Sequence, residues 1–595
     1  MKACHKTRYH LMSAVFCFAC GHILMANPAL MTHTLRSVDV TGTSVFSKRE
    51  ILGWLSSRPS RVFSETTLQN DLRTVQNNYL LRGYFEARTL SVQKTFSPDS
   101  TYLDVVIEVY EGKQTLLGAL TFAGQQPLST TTILDEFDSK PGTPLQVHVL
   151  EQDIDRLIAR YERLGFPFAQ CQVAQMIRRE GGDADSLDVT IDIVQGENVT
   201  LDEIRVDGNA ETESSVIVRE TRLTRGEVFN PHKVDAIRQR LRRLNIFADV
   251  SEPELYMRGR NGGLLIRVKE GNTNTFDGVI GYLPATAAGE GGYFTGLVSI
   301  SMRNLFGTGR KLSVQWQRED KQSQELGLRY LEPWVFNIPA NLTGGFFQRQ
   351  QDTSYIRRVI DMKGEMMLSD ELSIAVTLGS EIVIPSLDTT VNRVFKSSTI
   401  TFGLELQLDT RDDIFSPTRG ARYRTDYQYG KKSTSNVPAA LVSRVSAKAN
   451  TQKITLDMDF FQSTFAHQVA AVGFHGRELR SGLLEEGEMF RFGGAKSLRG
   501  YRENQFLGSR VAWSNLEYRF LLARRSFVYG FVDAGYYSRP ADELRAIPKS
   551  EAFKYGYGIG IQFESGLGNL GVSFALGQGD TFTQGKIHAG LINEF

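Results

Sequence analysis

An excess of one charge is missing from this chain: 68 Lys and Arg stand against 67 Asp and Glu, a formal net charge of +1 over 595 residues. So close a balance excludes bulk electrostatic attraction to nucleic acid or to acidic lipid as the main business of the molecule. Cysteine is scarce as well. Of the four, Cys4, Cys17 and Cys20 fall in a segment expected to be removed, which leaves Cys171 without an intramolecular partner. Hydrophobic runs long enough for a membrane-spanning helix are also lacking. The longest, residues 11–23, is interrupted by Gly21 and His22 short of the roughly 20 residues a span needs. Lys2, Lys6 and Arg8 precede it and Ala26 and Asn27 follow, the layout of a secretory signal peptide over residues 1–30. Enzyme signatures are absent too. No G-x-S-x-G, H-E-x-x-H or G-x-x-x-x-G-K-[ST] occurs, and the nine His show no ligand spacing. The run Gly566-Leu567-Gly568-Asn569-Leu570-Gly571 fits G-x-G-x-x-G, but it separates two alternating strands and no helix follows. No enzymatic activity, cofactor or metal site is expected.

What the chain has is glycine, 54 in all, distributed unevenly: 18 in residues 1–271 and 36 in residues 272–595. The first part is a repeat. Three alternating strands end in Gly42, Gly124 and Gly208, spaced by 82 and 84 residues. Each is followed by two helical stretches, the second amphipathic, as Leu68, Leu72 and Val75, then Leu150, Ile154 and Leu157, then Val234, Ile237 and Leu241. Gly83, Gly165 and Asn245 close those helices and predict left-handed caps. Each unit ends on an alternating strand running into Glu111-Gly112, Gln195-Gly196 or Glu270-Gly271. The pattern predicts an α+β repeat of three β-α-α-β-β modules over residues 34–112, 113–197 and 198–271.

Residues 272–595 alternate with period two over long stretches. Tyr423, Thr425, Tyr427 and Tyr429 oppose Arg422, Arg424, Asp426 and Gln428; Leu312, Val314 and Trp316 oppose Ser313, Gln315 and Gln317. The region holds 324 residues. At about 10 residues per tilted membrane strand plus turns, that length predicts a 16-stranded antiparallel transmembrane β-barrel whose apolar face meets lipid.

The order of elements, the Gly-aromatic pair after the second helix and the Glu-Gly ending resemble the polypeptide-transport-associated (POTRA) domain, in three copies. Residues 272–595 resemble the barrel of the BamA/TamA outer-membrane assembly superfamily. The likeness runs through Asn304-Leu305-Phe306-Gly307-Thr308-Gly309-Arg310, Tyr330-Leu331-Glu332-Pro333-Trp334, Asp409-Thr410-Arg411-Asp412 and Leu498-Arg499-Gly500-Tyr501. A three-module layout is closest to the TamA branch. The resemblance implies a bacterial outer-membrane location with the modules in the periplasm, and a loop carrying Leu498, Arg499, Gly500 and Tyr501 folded into the lumen. Its Arg499 would contact acidic groups on the wall; strand parity selects Glu517 and Asp533, brought together by a turn near Arg524. It further implies capture of unfolded outer-membrane or autotransporter clients on open POTRA sheet edges. Insertion would follow at a glycine-containing lateral seam marked by Val279, Gly281, Gly590, Ile592 and Phe595. Outer-membrane lipid and an inner-membrane-anchored partner at the first module are the other expected contacts, with no nucleic acid. The competing reading is a two-partner-type secretion pore that passes its client through the lumen.

Overall fold

The structure, a computed structural model, describes residues 33–592 except 125–126, 260, 284–292, 319, 321, 352–353, 386–393, 415, 438–440, 444, 544–545 and 566–567. The expected signal peptide, Phe595 and the first two residues of the G-x-G-x-x-G run lie outside the described residues. Two units are present, residues 1–197 and 198–595.

In the first unit, the last strand of each module takes the centre of its sheet. Tyr102–Tyr110 runs parallel to Thr34–Thr41 and antiparallel to Arg88–Phe96. Its Leu103, Val105, Ile107 and Val109 point into the core. Ala184–Val194 has the same place between Gln114–Gly124 and Gln170–Arg179. The helices Lys48–Trp54 and Glu65–Leu80 begin at Ser47 and Ser64, whose hydroxyls accept N–H groups of the first turn. They bury Ile51, Leu68, Val75 and Tyr79 against the sheet. Thr130–Glu136 and Val147–Arg163 repeat the arrangement with Ile133, Leu150, Leu157 and Tyr161. A carboxylate at matching positions joins each helix pair: Asp71 accepts the N–H groups of Ser56 and Ser57 (2.6 and 2.8 Å), and Asp153 those of Asp138 and Ser139 (2.9 and 2.8 Å).

The second unit starts with the third module, around helices Ser214–Thr221 and Pro231–Arg243. Its second strand departs from the expected pattern. It is split into Phe247–Val250 and Glu254–Arg258, both antiparallel to Asn261–Glu270. Pro253 lies at the break and has no N–H for a ladder. Glu227–Val228 adds a short strand beside Thr200–Asp207. The caps at Gly83, Gly165 and Asn245 are left-handed, with φ of 87°, 93° and 55°.

Sixteen strands follow, each antiparallel to the next in chain order, from Asn274–Leu283 to Lys586–Ile592. Their faces are inverted relative to a water-soluble sheet. Ile360, Ile400, Phe402, Leu404, Val532 and Ile559 lie exposed on the outside, Ile400 at 70%. Glu405, Asp426, Lys432 and Asp457 are buried inside. An apolar exterior around a charged interior is what hydrocarbon selects. Between Gln468–Ser481 and Arg510–Ala523 the chain leaves the wall and forms a short ribbon, Phe490–Phe492 with Phe506–Gly508.

Candidate functional site

The departing segment folds against the inside of the wall, seated by a small apolar core. Leu498, wholly buried, packs with Phe492, Tyr501 and Val511, flanked by Phe506, Trp513 and Tyr537. At the tip the backbone itself touches the wall. Gly500 has φ +92°, and a Cβ there would stand 2.6 Å from the carbonyl carbon of Leu576. On the wall, a Cβ on Gly556 would stand 2.0 Å from the carbonyl oxygen of Arg499. Glycine on both surfaces is what allows this approach.

Arg499, 6% exposed, is brought into the expected pair of carboxylates. Its Nε and Nη2 donate to Asp533 Oδ2 and Oδ1, both at 2.7 Å, and its Nη1 donates to Glu517 Oε1 at 2.7 Å. Its backbone N–H adds a bond to Asp533 Oδ2 at 3.0 Å. The guanidinium lies 3.6 Å from the ring centroid of Phe531, a cation–π contact inside the cluster. The fork of donors matches a bidentate carboxylate, which a point-charge ammonium cannot do. The two acids are diagonal rather than opposite: Asn515 faces Asp533, and Glu517 faces Phe531. That register brings in a further residue, Asn515, two positions before Glu517 on the same face of the strand. Asn515 Nδ2 donates to Asp533 Oδ1 (2.8 Å) and to the carbonyl of Ser497 (3.0 Å). Arg519 Nε donates to the second oxygen of Glu517 at 2.9 Å.

Tyr501 extends the grip, its hydroxyl donating to the carbonyl of Tyr555 and accepting the N–H of Gln578, both at 3.0 Å. Gly500 N–H donates to His588 Nε2 at 3.3 Å. The loop therefore touches each of the last five wall strands. No sequence signal pointed to His588, because its contact depends on the path of the loop.

Four of the five residues expected at the seam are described, and they occupy the two ends of the sheet. Val279 and Gly281 pair with Leu297 and Thr295, and Gly590 and Ile592 pair with Gly571 and Asn569. Among the described residues the first and last strands share no ladder. Also among the described residues, no group of three or more His, Cys, Asp or Glu is arranged to hold a metal ion.

Comparison with known families bears on both units. The model described as the Omp85 superfamily domain matches residues 304–595, and the POTRA model, described as surface antigen variable number repeat, matches residues 33–112, 116–196 and 199–271. The chain belongs to the Omp85 superfamily. It is 22% identical over 526 residues to the outer membrane protein assembly factor BamA of Nitratidesulfovibrio vulgaris, which covers 81% of this chain and 62% of the relative. It is 23% identical over 295 residues to BamA of Neorickettsia risticii, covering 48% of this chain and 38% of the relative. The chain thus spans less than two thirds of the length of these relatives. Among solved structures, CdiB from Escherichia coli shares the fold with a TM-score of 0.50 at 13% identity, over 86% of this chain and 93% of that one. As an Omp85 barrel it lies in the bacterial outer membrane with its three POTRA domains in the periplasm, and its superfamily is non-enzymatic.

In this Omp85 protein the motifs around Asn304 and Trp334 serve the junction between the third POTRA domain and the barrel. Asn304 Nδ2 donates to Thr212 Oγ1 (2.9 Å), and Glu213 N–H donates to the carbonyl of Gly307 (2.8 Å). Trp334 Nε1 donates to Glu220 at 2.6 Å. Burial pushes the Glu220 carboxyl above its ordinary range, against the pull of that bond and of Arg219, Arg222 and Arg240. Arg240 pairs with both oxygens of Asp370 at 2.6 and 2.9 Å. The sequence displays these motifs without showing that they face a neighbouring domain.

Proposed function

We propose that this protein is an outer-membrane assembly factor, TamA-like in its three-module layout. It captures unfolded outer-membrane or autotransporter clients on POTRA sheet edges and inserts them at a lateral barrel seam without nucleotide hydrolysis. The observation that carries this reading is the order of the sheet: among the described residues, the first and last of its sixteen strands form its two ends. Orphan backbone groups in hydrocarbon cost several kcal/mol each, so an opened end favours pairing with an incoming strand. In the periplasm the edge strands Arg88–Phe96 and Gln170–Arg179 expose Leu90 and Phe96, and Met176 and Ile177. Such edges recognise extended chains through the backbone and tolerate varied sequence. The assembly-factor names of the relatives support the same reading. The proposal extends to an inner-membrane-anchored partner that docks on the first module.

The test is a disulfide lock. Val279→Cys combined with Ile592→Cys, oxidised in cells, is expected to stop client insertion, and reduction is expected to restore it. Undiminished insertion by the locked form would exclude seam opening, and ion conductance with a secreted client in transit would assign the pore reading instead.

A further inference from the structure

Helix Pro231–Arg243 of the third POTRA domain and two barrel turns enclose a cavity of about 270 Å³. Six arginines line it, Arg238, Arg242, Arg243, Arg411, Arg524 and Arg525, against three aspartates. Four of the six are engaged. Arg243 donates to the carbonyls of Asp370 and Asp409, the latter at 3.0 Å. Arg411 chelates Asp409 at 2.9 and 2.8 Å. Arg238 donates to Val250 O and Glu252 at 3.0 and 2.8 Å, and Arg525 to Glu564 at 3.2 Å. Arg242 and Arg524 are held more loosely. Their carboxylate partners, Asp249 and Asp413, each stand 3.8 Å away, beyond hydrogen-bond range. Burial, with Arg238 and Arg524 as like charges beside it, pushes the Arg242 guanidinium below its usual range. At Arg242 itself, the like charges of Arg238 and Arg524 outweigh the carboxylates of Asp249 and Asp413.

We propose that this cavity binds a phosphate group between Arg242 and Arg524, presented by an anionic phospholipid headgroup of the periplasmic leaflet. Guanidinium forks suit tetrahedral phosphate oxygens, and the volume admits one such group with its hydration. Both turns lie at the periplasmic end of the barrel, the level at which inner-leaflet headgroups run. The site is independent of the seam and of client capture.

The full-length protein in a neutral detergent is titrated with inorganic phosphate and, separately, with short-chain phosphatidylglycerol. Arg242→Gln with Arg524→Gln is expected to weaken binding tenfold or more, and Lys at both positions to weaken it less. Arg524→Gln alone, at a side chain 57% exposed, gives a variant with little effect on folding and is expected to lower affinity severalfold. Phosphatidylglycerol binding that inorganic phosphate displaces assigns the headgroup as ligand; binding of inorganic phosphate alone assigns the same site to the free ion. Equal affinity in wild type and both Gln variants, or no saturable binding of either probe by wild type, overturns the proposal.

Discussion

A single guanidinium, that of Arg499, joins carboxylates on two neighbouring strands to a loop that crosses the lumen. Asp533 is fully buried, so truncating its partner leaves a charge without compensation, at a cost of about 3–5 kcal/mol. Arg499→Ala is expected to lower the temperature at which the folded barrel loses its fast gel mobility, with Arg499→Lys in between. Unchanged mobility transitions in both variants would count against a stabilising role. Arg499 is legible through the motif that the chain shares with its superfamily, and Glu517 and Asp533 because strand parity fixes which side chains enter the lumen. The bridging by Asn515 is not legible, since it depends on cross-strand register. That register is shifted by an irregularity between Leu521 and Ala523 at the turn, which nothing in the residue pattern announces.

At the scale of elements, the helix pairs of the first two modules depend on a buried acid that accepts two backbone N–H groups. For Asp153 burial would raise the carboxyl pKa, but the N–H groups of Asp138 and Ser139 and the side chain of Arg156 outweigh it and hold the group below its ordinary value. A lowered folded value means that its stabilisation is complete above the unfolded pKa of about 4 and is lost as pH falls through the folded value. Asp153→Ala is expected to cost about 1–3 kcal/mol at pH 7 by orphaning two donors. In urea titrations that gap should close towards pH 2; a gap constant with pH would show that the charge is not responsible. The repeat itself is plain in the sequence because glycine caps and apolar spacing recur in phase. The break at Pro253 is not plain in the residue pattern. A lone proline near a strand has several outcomes, and only the sheet shows which one is taken.

For the whole molecule, the count of sixteen strands was readable from length alone, because membrane thickness sets the length of a strand. The junction between the third POTRA domain and the barrel is not, since it joins residues far apart in the chain, such as Glu220 and Trp334, 114 positions apart. Trp334→Phe keeps the ring and removes the donor. Because the Glu220 pKa is raised, this acid favours the docked domain least at high pH, and the penalty grows as pH rises through its folded value. The variant is expected to show faster hydrogen exchange over Ser214–Thr221, by about 1.5–3 kcal/mol of protection at neutral pH, and a smaller loss near pH 4. Equal exchange in wild type and variant would remove Trp334 from the junction.

The amide of Gly500 finds its acceptor on His588, 88 residues further along and on the terminal wall strand. A barrel short of that strand leaves this amide facing an empty channel. The tip of the lumen segment is thus bonded at this amide only once the last strand is in place.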